Sequence, residues 1–189
     1  KASETYDSHT KLLVHSESTS GIGVFTDSSS NARTITHGTV GGMAHSTTKS
    51  KFGGSAIHRP TAGDNRNLEV GDHADLTRTT GDFTAECWVY MTSLNQHSIF
   101  LAKGSSWWLN YDMDNYGTDA RFNMMFYNGS AWQNVSHTLV PAINTWYHLA
   151  GVVKSNVLTL YVNGVGGSST TLTGTTNDGE AFVIGGWAT

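Results

Sequence analysis

Carboxylates, histidines and serines are the residues from which chemistry would have to start. Glutamate stands only at Glu4, Glu17, Glu69, Glu86 and Glu180. Cleaving a glycosidic bond takes two carboxyls, ~5 Å apart for retention and ~6.5–9.5 Å apart for inversion. A two-residue step along one strand supplies such a distance, and no two of these glutamates have that spacing. Glu86 has no carboxylate partner at position 84 or 88. The tyrosines and histidines that a lyase base would need do not group. The histidines His9, His15, His37, His45, His58, His73, His97, His137 and His148 form neither HxH nor HExxH, so no zinc signature is present. No GxSxG elbow presents a serine nucleophile. Cys87, the single cysteine, alternates with apolar neighbours and reads as a small core residue; one cysteine allows no intrachain disulfide. His148 reads as a hydrogen-bonded strand histidine.

Two other groups of residues carry chemistry of a binding kind. Asp112-Met113-Asp114-Asn115-Tyr116-Gly117 has oxygen ligands at its first and third positions and glycine at its sixth. Tyrosine at the fifth and Asn123 at the twelfth exclude an EF-hand, and the stretch reads as a polar hairpin. Trp107, Trp108, Tyr111, Tyr127 and Trp132 fall on three successive strand-like runs. Side chains alternate along a strand, so Trp107 and Trp108 must face opposite ways. One belongs to a core; the other faces solvent, a ligand or a partner. Indole faces stack on the CH faces of sugar rings, while nearby Asn and Asp take hydroxyl hydrogen bonds. These five residues are the candidate ligand-binding set, against the plainer reading that a two-layer sandwich needs large fillers.

The elements that would position them have a period of two. Phe83, Ala85, Cys87 and Val89 alternate with Thr84, Glu86, Trp88 and Tyr90. Large groups on both sides predict a central strand between two layers. Ser98–Lys103, Trp107–Met113, Arg121–Tyr127 and Trp132–His137 follow, with Asn128-Gly129 as a turn in which both residues can take positive φ. Trp146–Val153 and Val157–Val162 meet across Lys154-Ser155-Asn156, and Asn163-Gly164 makes the next turn. Thr170–Thr173 and Ala181–Ile184 add short strands. In the N-terminal third, Leu12–His15, Thr34–Thr36, Ser55–His58 and Asn67–Val70 are the strand candidates. No long amphipathic helix and no repeat is evident. About a dozen short strands with turns every 8–12 residues predict an all-β sandwich or jelly roll.

Composition bounds the rest. The chain has 189 residues and 20.4 kDa, the size of one domain with its own core. Its 11 basic and 15 acidic residues give a net charge of −4, without the basic footprint of a nucleic-acid binder. No stretch approaches the ~20 apolar residues of a membrane span. Low charge with abundant Ser, Thr, Gly and Asn suggests an extracellular type of protein. The first residue is Lys1, so no signal peptide can be read.

Six stretches in order resemble a known family: Leu12-Leu13-Val14-His15, Phe25–Ser29, Lys51–Ala56, Gly81–Val89, Trp146–Ala150 and Leu160–Gly164. Together they resemble the laminin G-like domains of the concanavalin A-like lectin/glucanase superfamily, in the variants common in phage virion and bacterial surface proteins. The resemblance covers residues 11–187 and implies a jelly-roll sandwich of two curved antiparallel sheets. It also implies calcium at a rim loop, with Asp112 and Asp114 as candidate ligands for a structural Ca²⁺. Two departures stand out. Ser16-Glu17-Ser18 replaces the family's Asp-Gly after the first strand, and the family's last strand is absent after Ile184–Thr189. The expected organisation is an arm or linker over residues 1–10 and a jelly roll over 11–189 lacking its last strand, with an edge open near Leu12–His15.

Three functions compete on this reading. The first is a non-catalytic module of a cell surface, virion or extracellular protein, acting in adhesion through glycan binding or as a decoration or fibre subunit. The second is a glycosidase or polysaccharide lyase on the same fold, which the missing carboxylate pair disfavours. The third is an assembly subunit without a ligand. The expected partners are a glycan or neighbouring structural subunits, in a homo-oligomer or in a virion or filament assembly.

Overall fold

The computed structural model describes residues 7–38, 42–59, 66–78, 80–113, 120–174 and 179–186. The strands are β1 (Gly21–Ile22), β2 (Ile35–His37), β3 (Ala44–Ser46), β4 (Ala56–His58), β5 (Leu68–Val70), β6 (Phe83–Tyr90) and β7 (Ser98–Lys103). They continue with β8 (Trp107–Asp112), β9 (Arg121–Tyr127), β10 (Trp132–Ser136), β11 (Trp146–Lys154), β12 (Val157–Val162), β13 (Val165–Thr171) and β14 (Phe182–Ile184). A single 3₁₀ turn, Ala74–Leu76, is the only helical element among the described residues. A seven-stranded sheet runs β10-β9-β8-β7-β14-β5-β2, and a four-stranded sheet runs β13-β12-β11-β6. Strands β1, β3 and β4 form a small third sheet. Every pairing is antiparallel. This is the all-β jelly-roll sandwich that the strand pattern predicts.

The two larger sheets bury one face each against the other. From the large sheet come Trp107, Leu109, Phe122 and Met124; from the small one come Ala85, Val89, Leu149 and Leu158, all in one core cluster. Each fully buried aliphatic or aromatic side chain of this layer contributes about 1.5–3 kcal/mol. The sandwich is closed along one edge, where β10 and β13 lie side by side. Ser136 N–H donates to Ser168 Oγ at 2.9 Å, Ser168 Oγ–H donates to the Ser136 carbonyl at 2.8 Å, and Gln133 Nε2 donates to the Thr171 carbonyl at 3.3 Å. Gly167 permits this approach, because a Cβ there would lie 2.9 Å from the Ser136 carbonyl oxygen.

The turns vary in how they are made. Ser155 and Asn156 have φ of 49° and 66°, and Asn163 and Gly164 have 51° and 79°, the double positive φ of tight hairpins. At 128–131 only Gly129 is in the left-handed region, so the expectation for both residues there is corrected. Asn128 Oδ1 instead accepts from Ser130 and Ala131 N–H groups, a side-chain mimic of a turn.

Strand β6 has the predicted register. Ala85 and Val89 are buried and Phe83 and Cys87 half-buried, while Thr84, Glu86 and Trp88 are exposed. Its placement is corrected, however: β6 is the edge of the small sheet, and on its second face Trp88 and Tyr90 meet the segment between β3 and β4. The candidate strand Leu12–His15 is reduced to one bridge, Val14 to Asp27. A side chain replaces the ladder. Asp27 Oδ1 accepts from the N–H groups of Leu13 (3.0 Å) and Ser29 (2.9 Å), and Oδ2 accepts from Ser29 Oγ and Arg33 N–H (both 2.9 Å).

Candidate functional site

The outer face of the seven-stranded sheet carries the opposite alternation from the core. Trp108 pairs across strands with Met125, Asn110 with Asn123, and Trp132 with Tyr127. Trp108, Met125, Ala102, Val183 and Ile99 form a second apolar cluster, against which Trp132 packs. The Trp108 and Trp132 rings stand 4.3 Å apart and the Tyr127 and Trp132 rings 5.3 Å apart. Trp108 is buried, its indole N–H donating to the Gly104 carbonyl at 2.6 Å, while Trp132 and Tyr127 are half-buried. One strand step further, about 7 Å along β8, lies the Asn110–Asn123 pair. Both side chains are more than nine-tenths buried, and the Oδ1 atom of each has no hydrogen-bond partner. Such buried acceptors are uncommon, and a trapped water is their ordinary donor.

The five aromatic candidates therefore divide. Trp108, Tyr127 and Trp132 come together on this face. Trp107 and Tyr111 do not, which corrects their assignment to ligand binding. Both lie on the inner face at 2% and 1% exposure, where the size of their rings fills the sandwich. Their polar atoms are spent inside: Trp107 Nε1–H donates to the Leu76 carbonyl at 3.0 Å, and Tyr111 Oη–H donates to that of Leu94 at 3.2 Å. Burial, with Asp112 second, pushes the Tyr111 phenol up.

Of the two candidate calcium ligands, Asp114 lies outside the described residues. Asp112 is fully buried on β8, with its Oδ1 2.8 Å from His97 Nδ1. Among the described residues no three His, Cys, Asp or Glu side chains gather as a metal site. Cys87 is half-buried; burial, and then Glu86, push its thiol up to about 12, far from a reactive thiolate.

The outer face of the four-stranded sheet holds a group the candidate set missed. Trp88 pairs directly with His148 and Tyr90 with Trp146. The Trp88 and His148 rings are 5.2 Å apart and the Tyr90 and Trp146 rings 5.3 Å apart. Phe52, from the segment between β3 and β4, meets Trp88 edge-on at 5.4 Å. Lys51 Nζ sits 4.3 Å from the Trp88 ring centre, and Lys49 Nζ 5.6 Å from that of Tyr90. His148 Nε2 lies 3.5 Å from Glu86 Oε2. The signal was present in the alternation of Glu86, Trp88 and Tyr90. It was assigned to a buried layer because β6 was placed centrally.

A laminin G-like family model of the concanavalin A-like lectin/glucanases superfamily matches residues 62–188. The chain belongs to that superfamily. No curated protein matches it in sequence. Among solved structures it is similar to domain 4 of AbnA, a GH43 extracellular arabinanase from Geobacillus stearothermophilus, in complex with arabinotriose. The TM-score is 0.59 at 20% identity, over 86% of this chain and 79% of that one. At this identity the likeness is one of fold.

Because the superfamily's name joins lectins to glucanases, the placement of carboxylates matters. Three stand on described strands: Glu69, Glu86 and Asp112. Glu86 faces outward on the small sheet beside His148, away from the other two. Glu69 and Asp112 share the outer face of the large sheet. By register Glu69 aligns through Val183 and Ala102 with Trp108. Three strand spacings and four residues then separate it from Asp112, about 19 Å in all. That is roughly twice the widest separation that glycoside hydrolysis uses, ~9.5 Å.

Proposed function

We propose that the chain is a non-catalytic carbohydrate-binding module, working outside the cell, that takes a neutral glycan on the outer face of the seven-stranded sheet. Trp132 and Tyr127, backed by Trp108, supply the ring platform. The observation that carries this reading is the contiguous ring cluster in which half-buried Trp132 and Tyr127 lie against Trp108 and each other. A neutral sugar offers an apolar CH face, the complement of such a platform. The separation of Glu69 from Asp112 supports binding without cleavage. The arabinotriose held by domain 4 of the arabinanase is a reason to begin with short arabino-oligosaccharides.

The test is a glycan array followed by calorimetric titration of the best neutral ligand, with arabinotriose included. Trp132→Ala and Tyr127→Ala should each weaken binding, roughly tenfold or more. No reducing ends should be released on long incubation. An array without a neutral ligand, or release of reducing sugar from a bound one, would overturn the assignment.

A further inference from the structure

On the opposite side of the molecule, the geometry points to a second binding surface, one for a polyanionic glycan such as a polyuronate. It consists of Trp88, Phe52, Tyr90 and Trp146 with Lys49 and Lys51, and it does not rest on the neutral-glycan reading. Isolated exposed rings are ordinary on protein surfaces. Here they are contiguous: two direct cross-strand ring pairs lie on one face, and Phe52 extends them. Phe52 is 65% exposed and Trp88 38%.

The two lysines set the class of ligand. Lys51 and Lys49 hold their ammonium groups over Trp88 and Tyr90, and neither makes an ion pair with a carboxylate among the described residues. The one carboxylate of this face, Glu86, is beside His148 instead. An ammonium over a ring face keeps its donors free on the other side. Trp88 and Tyr90 are two residues apart on the same side of β6, so the two positions that carry a ring with a cation over it are roughly 7 Å apart along the strand. Repeated cations beside repeated rings suit a ligand with repeated anions and repeated apolar CH faces. A sugar acid polymer has both.

Affinity electrophoresis through gels containing polygalacturonate, with neutral arabinan gels as control, tests the inference on the whole chain. The protein should be retarded by polygalacturonate, and less so as salt rises. The double variant Lys49→Glu/Lys51→Glu should lose roughly tenfold or more of that affinity. Trp88→Ala should weaken it as well. Trp132→Ala should leave it unchanged, which separates this surface from the neutral-glycan platform. The variants lie on the surface, and their far-ultraviolet dichroism should match the parent. No retardation, retardation equal in the double variant, or equal retardation by neutral arabinan would each overturn the proposal.

Discussion

The two outward faces of the sandwich are both aromatic, yet they are built in opposite ways. On the large sheet, Trp108 is sunk among Met125, Ala102 and Val183, its N–H tied to a backbone carbonyl, beside asparagines whose buried side-chain oxygens lack partners. On the small sheet, Trp88 and Phe52 are exposed, with Lys51 over both rings. The contrast teaches that aromatic content on a sheet face says little by itself. What distinguishes the faces is where each ring's polar atoms and neighbouring charges are satisfied. The first face should be stiff and costly to alter, and the second cheap to alter and selective by charge.

The largest effect should come from Trp108→Ala. The ring is 8% exposed and anchors the outer apolar cluster, so its loss should cost about 3–5 kcal/mol. Urea unfolding at neutral pH measures it. A loss under about 1 kcal/mol would mean that this face is not the rigid layer described.

Next comes a region belonging to neither face. Burial pushes the Asp27 carboxyl up, but hydrogen bonds from the N–H groups of Arg33, Leu13 and Ser29 outweigh it and hold the pKa below the ordinary 3.8. A carboxylate lowered on folding adds stability above its unfolded pKa, and that contribution disappears as pH falls through the folded value. Asp27→Asn should therefore cost about 1–3 kcal/mol at pH 7. Its deficit should shrink as pH is lowered below about 4. Urea midpoints from pH 7 down to pH 2.5 follow this; a deficit constant with pH would put the role of Asp27 in shape rather than charge.

These cases also show what the chain discloses before folding. The alternation from Phe83 to Val89 and the turns at Ser155-Asn156 and Asn163-Gly164 are local, and local chemistry suffices to place them. The opposed orientations of Trp107 and Trp108 follow from the pleat alone, but which of the two faces inward depends on register with β7 and β9. The edge position of β6 and the insertion of β14 between β7 and β5 depend on pairings across long sequence distances, which no window of residues contains. The N-terminal segment Leu12–His15 reads as a strand but forms a single bridge, for a related reason. Its partner is mainly the Asp27 side chain, and side-chain anchors leave no periodicity. Phe52 and Lys51 reach Trp88 from 36 and 37 positions away, so the small-sheet surface was invisible as a unit.

A smaller effect of opposite sign should come from Asn110→Leu. Replacing a buried side chain whose oxygen has no partner by an apolar one of similar size should leave stability unchanged or raise it by about 1 kcal/mol in urea unfolding. A loss above about 1 kcal/mol would show that the Asn110 carboxamide holds the outer layer of the large sheet together.

The smallest change should be that of Trp88→Ala, and it bears most directly on the contrast between the faces. The ring is 38% exposed, so truncation removes only part of a buried side chain and leaves no closed cavity. It forfeits the Lys51 contact, of about 0.5–1 kcal/mol at an exposed site, and the edge contact with Phe52. Because β6 is an edge strand, neighbouring side chains and water can fill the space, and the cavity penalty that makes Trp108→Ala expensive is largely missing. A loss near 1 kcal/mol in urea unfolding is expected, together with the weakened polyuronate retardation. If Trp88→Ala proved as destabilising as Trp108→Ala, the rings of the small sheet would be packing for the segment between β3 and β4, and the two faces would be structural alike.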